Sequence, residues 1–180
     1  MKKMHHLVQK LRAGLLVLTL SSSVLFVSPA HAQAKIVQTP YANPKVLVDV
    51  YLDHPAKMSA ALYWLRSFIN PLTEAPYSMF AEDLNVIVLL HGTEIVTVAK
   101  KNEEKYEEVV GRMRYYAAMG VKFKICGLGM KDYGYLPEDL QPFIEVTPSA
   151  MTELVHWQNR GYALITPQVV DKRLLVDDIR

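Results

Sequence analysis

The chain has 180 residues, 51% of them hydrophobic and 21% charged, with 20 Lys+Arg against 18 Asp+Glu and a single cysteine. That length fits one domain or a small pair, and the apolar content excludes a disordered tail or a low-complexity linker. One cysteine excludes a disulfide framework and a Cys-rich zinc module. A net charge of +2 lends little support to nucleic-acid binding, and none is expected.

The charge is unevenly placed. Residues 1–32 hold Lys2, Lys3, Lys10 and Arg12 and no acid. Two apolar runs follow the basic start, Ala13–Leu20 and Val24–Val27, separated by Ser21–Ser23. Ala30-His31-Ala32 then offers small residues where a signal peptidase reads, which predicts cleavage before Gln33. Neither run reaches the roughly 18 uninterrupted apolar residues of a membrane span. No Cys lies near the cleavage point and no Arg-Arg pair is present, so a lipid anchor and the twin-Arg route are not expected. The expected mature body is Gln33–Arg180, 148 residues with 16 Lys+Arg against 18 Asp+Glu, a net −2. It is expected in the periplasm, without a stable membrane anchor after cleavage.

In chain order, Lys45–Leu52 is rich in β-branched residues and predicts a strand. Pro55 suits the first turn of a helix, whose buried face is Met58, Ala61, Leu62, Leu65 and Ile69 at helical spacing. Asn70-Pro71 is expected to end it. Leu84–Leu90 is a nearly continuous apolar run, as in a parallel strand covered on both faces, and His91-Gly92 closes it. A helical stretch is predicted from about Glu94 to Met119, in one or two pieces, with Tyr106, Val109, Met113 and Ala117 as its apolar stripe. The charges of Lys100–Glu108 read as its solvated face.

Val121–Cys126 is the third strand. Gly127–Gln141 is a glycine-containing loop with one or two helical turns, and Phe143–Val146 is a short fourth strand. Thr147-Pro148 is expected to start another helix, with Thr147 as its cap and Met151, Leu154, Val155 and Gln158 facing inward. Tyr162–Thr166 is the fifth strand, and residues 168–180 are a short tail. Five strands alternating with helices predict a three-layer α/β/α sandwich on a mostly parallel five-stranded sheet.

In such sheets reactive groups collect at the carboxyl ends of the strands. Those ends are Asp53-His54, His91-Gly92 and Cys126-Gly127. Cys126 is the sharpest candidate, because a thiolate is a nucleophile and nearby amides or cations favour it. Gly127 and Gly129 leave backbone amides free to face the sulfur, and Lys124 and Lys131 add positive potential. The competing reading is a buried thiol that packs as a small hydrophobe. His91 is a candidate base, or a residue that only bonds a neighbouring loop. Asp53, His54, Gly92, Gly127 and Lys131 complete the candidate binding set, although Asp53 and His54 also suit a simple helix start. His54, His91 and Cys126 have ligand types suited to a metal, without any fixed-spacing signature. No nucleophile elbow, P-loop, dinucleotide fingerprint or HExxH motif is present, so no cofactor is expected.

The order of these features resembles the DsrE/DsrF-like family over roughly Lys45–Pro167. The resemblance rests on Asp53-His54-Pro55, on His91-Gly92, and on Ala118–Cys126. Gly134–Leu140 and Gln158–Pro167 complete it. It implies a YchN-like α/β/α fold that forms trimers or hexamers. It also implies a cysteine, here Cys126, that takes up sulfur as a persulfide and passes it from a donor protein to an acceptor. Gly127-Leu-Gly-Met130 departs from the usual loop of the relay enzymes, and the leader departs from their cytoplasmic setting. Beside a sulfur or thiol carrier stand two other readings. One is a non-enzymatic module holding a metal or small ligand; the other is an assembly protein that acts through its oligomeric surface.

Overall fold

Valine fills three of the five positions of Val46–Val50 (β1). Its branched side chains favour the extended backbone and pack on a pleated surface. The computed structural model describes residues 33–171 and 173–180, and the expected leader, residues 1–32, lies outside the described residues. After β1 come α1 (Met58–Thr73), β2 (Val86–Leu90), α2 (Glu107–Ala118) and β3 (Lys122–Cys126). Then follow α3 (Gly127–Asp132), β4 (Ile144–Thr147), α4 (Ala150–Gln158) and β5 (Ala163–Ile165). The strands form one sheet in the order β4-β3-β2-β1-β5, and every pairing is parallel.

The topology explains the layers. From β1 to β4 each strand steps one way across the sheet, and the last crossover returns to lie beside β1. Parallel crossovers keep one hand, so a reversal of direction moves the connecting helix to the opposite face. On the first face Val46, Val48, Val50, Val86, Val88, Leu90, Phe123 and Ile125 share a core with Met58, Leu62, Leu65 and Ile69 of α1 and Val110 and Met113 of α2. Each such side chain, fully buried, contributes about 1.5–3 kcal/mol of transfer free energy. On the second face Leu47, Ile87, Leu89 and Cys126 meet α4, through Ala150, Leu154 and Trp157, and Tyr162 beyond it.

The structure has the predicted α/β/α sandwich, and the predicted buried face of α1 is found residue for residue. Three local expectations are corrected. α1 continues to Thr73, with Pro71 accommodated in its last turn. The stretch 93–106 is a series of short 3₁₀ turns, and the α-helix begins only at Glu107. Tertiary bonds override helix propensity there: Thr93 N–H donates to Leu52 O (3.0 Å), Ala99 bridges to Leu140, and Asn102 Nδ2 donates to Val96 O and to Tyr135 Oη. The cap of α4 is Ser149, whose Oγ accepts Thr152 N–H (3.2 Å), whereas Thr147 ends β4 with its hydroxyl on Ile125 O (2.9 Å). The inward face of α4 is accordingly Ala150, Leu154 and Trp157, and Met151 (58%) and Val155 (60%) are exposed. Among the described residues no helix is long and apolar enough to cross a membrane.

Candidate functional site

Alternation along a strand sends residues two apart to the same face. Tyr51, His91 and Cys126 therefore continue the second-face series of Leu47, Ile87 and Leu89. Register brings them into one row. Val50 pairs with Leu90, Leu90 with Ile125, and Cys126 with Thr147. The next position on each strand gives the row Tyr51, His91, Cys126, Thr147, on backbones roughly 4.8 Å apart. Tyr51 and His91 stack with ring centroids 5.0 Å apart. The row beneath is Asp49, Leu89, Lys124 and Glu145.

Charge is concentrated on these two rows. Asp49 Oδ1 lies 2.7 Å from His91 Nε2, and both side chains are mostly buried. A carboxylate can only accept, so Nε2 carries the proton and Nδ1 is the free nitrogen of the imidazole. Asp49 thus fixes the ring's tautomer and plane. Lys124, itself buried, pairs with Glu145 and lies 5.7 Å over the Trp157 ring. Trp157 Nε1–H in turn donates to Glu153 Oε2 (2.7 Å).

Cys126 ends β3 and caps α3. Its residue is 8% exposed, and its Sγ accepts the N–H of Gly129 at 3.5 Å. The first glycine after it is required by space, because it faces backbone, and the second is crowded by the end of a side chain that can yield. A Cβ on Gly127 would stand 2.5 Å from Thr147 O, and one on Gly129 would stand 2.9 Å from Ile95 Cδ1. A Cβ on Gly129 would also stand in ordinary contact, 3.8 Å, with both Cys126 Cβ and His91 O. The backbone of His91, the first turn of α3 and the thiol therefore pack as one unit.

Beneath this unit is Glu94, fully buried. Its Oε1 accepts the N–H groups of His91 and Gly92 (2.7 Å each), and its Oε2 accepts that of Leu52 (2.9 Å). Burial pushes its carboxyl above the ordinary value of 4.5, and the backbone hydrogen bonds from Gly92, Leu52 and His91 offset only part of that rise. Tyr133 is likewise raised, first by desolvation and then by the negative potential of Glu94 and Tyr51. Gly92 has no alternative, because a Cβ there would lie 2.7 Å from Glu94 Oε2 and 2.6 Å from Leu52 N.

The predicted site residues do not all gather in one place. His91, Gly92, Cys126 and Gly127 come together at the ends of β2 and β3. Asp53 and His54 sit in the exposed turn before α1 and bond to their own chain neighbours. Asp53 pairs with Lys57 (3.0 Å), whose hydrogen bond holds the carboxyl below its usual range, and His54 Nδ1 accepts Ala56 N–H. Lys131 is exposed in the last turn of α3. Among the described residues no three His, Cys, Asp or Glu side chains are grouped to hold a metal ion. Sequence reasoning missed Asp49, whose signal was an acid inside a valine-rich strand. It also missed Glu94, which marked only the approximate start of the helical stretch.

Fold and site define a class: an open, parallel α/β/α domain with a cysteine at the carboxyl end of an inner strand. The chain belongs to the DsrE/DsrF-like family, whose model matches residues 46–167. Among solved structures it is similar to a protein of unknown function, MTH1491 from Methanobacterium thermoautotrophicum. The two share 17% identity at a TM-score of 0.53, over 69% of this chain and 99% of that one, a likeness of fold. No curated protein matches the chain.

Proposed function

We propose that the mature protein is a periplasmic sulfur carrier that holds sulfane sulfur on Cys126, working as a homo-oligomer between a donor and an acceptor protein. The observation that carries this reading is the row at the strand ends. The thiol stands in register beside an imidazole oriented by Asp49, with a backbone N–H on its sulfur. Membership of the DsrE/DsrF-like family supports it. The basic, apolar, small-residue order of residues 1–32 supports the location.

The chemistry needs no outside oxidant. The Cys126 thiolate attacks the terminal sulfur of a donor persulfide, R–S–SH. A new S–S bond forms to Cys126, the donor's S–S bond breaks, and the donor leaves as the thiolate R–S⁻. Two electron pairs move, and the total oxidation level is unchanged. His91 Nδ1 takes the thiol proton before attack and returns it to the departing thiolate. Release to an acceptor thiolate is the same exchange run in the other direction.

The test is intact mass. The mature protein, incubated with a low-molecular-weight persulfide, gains one sulfur atom per chain, and the Cys126→Ser variant gains none. No gain in the wild type, while Cys126 can still be alkylated completely, removes the reading.

A further inference from the structure

A fully buried carboxylate is costly unless hydrogen bonds replace its water. Glu94 meets that cost with three backbone N–H groups from two different strand exits, Leu52 after β1 and His91 and Gly92 after β2. The neighbouring residue closes the same clamp from the other side, since Thr93 N–H and Oγ1–H both bind Leu52 O (3.0 and 2.9 Å). Leu52 is therefore held at its N–H and its carbonyl by two consecutive residues of the turn. The next residue, Ile95, sets its Cδ1 2.9 Å from where a Gly129 Cβ would be. The turn that Glu94 organises is thus the floor on which the first turn of α3 rests. Gly129, in that turn, supplies the N–H on Cys126 Sγ.

We propose that Glu94 is a positioning residue: its grip on the His91 and Gly92 amides sets where the imidazole and the Gly129 N–H stand relative to the Cys126 thiol. The proposal rests on the carrier reading for its purpose, and its test does not require that reading to hold. The two oxygens have separate duties. Oε1 serves the reactive row through His91 and Gly92, and Oε2 serves the β1 exit through Leu52. Glu94→Gln separates them. Its amide oxygen takes the two acceptor bonds at His91 and Gly92, which leaves the NH₂ facing the Leu52 N–H, donor against donor. Glu94→Ala releases Leu52 and Gly92 outright and leaves His91 N–H only its longer bond to Val50 O (3.2 Å).

The experiment measures amide hydrogen exchange at Leu52, His91 and Gly92 in the full mature protein. Alongside it run the alkylation rate of Cys126 with iodoacetamide and sulfur uptake from a persulfide. In Glu94→Gln, Leu52 exchange rises at least tenfold, while His91, Gly92 and the Cys126 alkylation rate stay close to wild type. In Glu94→Ala the Leu52 and Gly92 amides exchange faster, His91 less so because Val50 O still accepts it, and the alkylation rate changes at least tenfold. Should Glu94→Ala fail to fold, Glu94→Asp, which draws the carboxylate back by one methylene, takes its place under the same criteria. A folded variant with the Gly92 amide released and unchanged alkylation overturns the proposal. So does a Glu94→Gln variant whose alkylation shifts while the His91 and Gly92 amides stay protected. Absent sulfur uptake in the wild type counts against the carrier reading alone, because exchange and alkylation report on Glu94 without it.

Discussion

On the first face of the sheet, Val46, Val48, Val50, Val86, Val88, Leu90, Phe123 and Ile125 meet α1 and α2 across an apolar core. On the second face those strands and β4 present Asp49, His91, Lys124, Cys126 and Glu145 around a small apolar patch covered by the nine-residue α4 and Tyr162. Strand parity makes this possible, since alternate residues of one strand answer to different surroundings. Phe123 and Lys124 are chain neighbours with opposite duties. The lesson is that the covered face carries the stability, which leaves the other free to hold charged groups and a thiol.

The largest effect expected on this contrast is at Cys126. Cys126→Ser keeps the fold and loses all sulfur uptake, measured by intact mass. Next is a stability cost on the first face. Phe123→Ala empties a fully buried site and lowers unfolding free energy by about 3–5 kcal/mol in urea titrations. Its neighbour sharpens the comparison. Lys124→Met keeps the volume and leaves Glu145, half-exposed, free to rehydrate, so the same titration changes by about 1 kcal/mol or less. If the two variants cost the same, the faces do not divide the labour as described.

His91→Ala is expected to slow sulfur uptake about 10²-fold, the scale of a lost general base, with little change in unfolding. The smallest effect is a slope with pH. Because Glu94 is raised in the folded state from 4.5, the native protein binds more protons than the unfolded chain between that value and the raised one. The contribution of Glu94 to stability is therefore fully present below about 4.5 and is lost as pH rises through the folded value. Urea titrations from acid to neutral pH should show the wild type losing ground to Glu94→Gln over that interval. A constant difference between them contradicts the sign.

Much of this was legible in the sequence for definite reasons. Leu84–Leu90 read as a doubly covered strand because it has almost no polar residue, and β2 is buried along its whole length. α1 read correctly because Met58, Ala61, Leu62, Leu65 and Ile69 keep a helical period. Cys126 read as a strand end because glycines follow it. What was not legible depends on distant partners. The turns at 93–106 answer to Leu52, Leu140 and Tyr135, none of them local. The pairing of Asp49 with His91 spans 42 positions, as does the bond from Leu52 N–H to Glu94. Asp53-His54 drew attention by sitting after a strand. In the structure both bond locally, to Lys57 and Ala56.

A carrier must give up what it takes, and release is therefore the decisive step. Mature protein loaded with sulfane sulfur and freed of donor should be mapped by peptide mass, then mixed with a small acceptor thiol and mapped again. The account predicts one added sulfur on the Cys126 peptide, gone after the acceptor is added, with the sulfur recovered as the acceptor's persulfide. Sulfur that never appears on Cys126 although the thiol can be alkylated, or that stays there in the presence of acceptor, contradicts it.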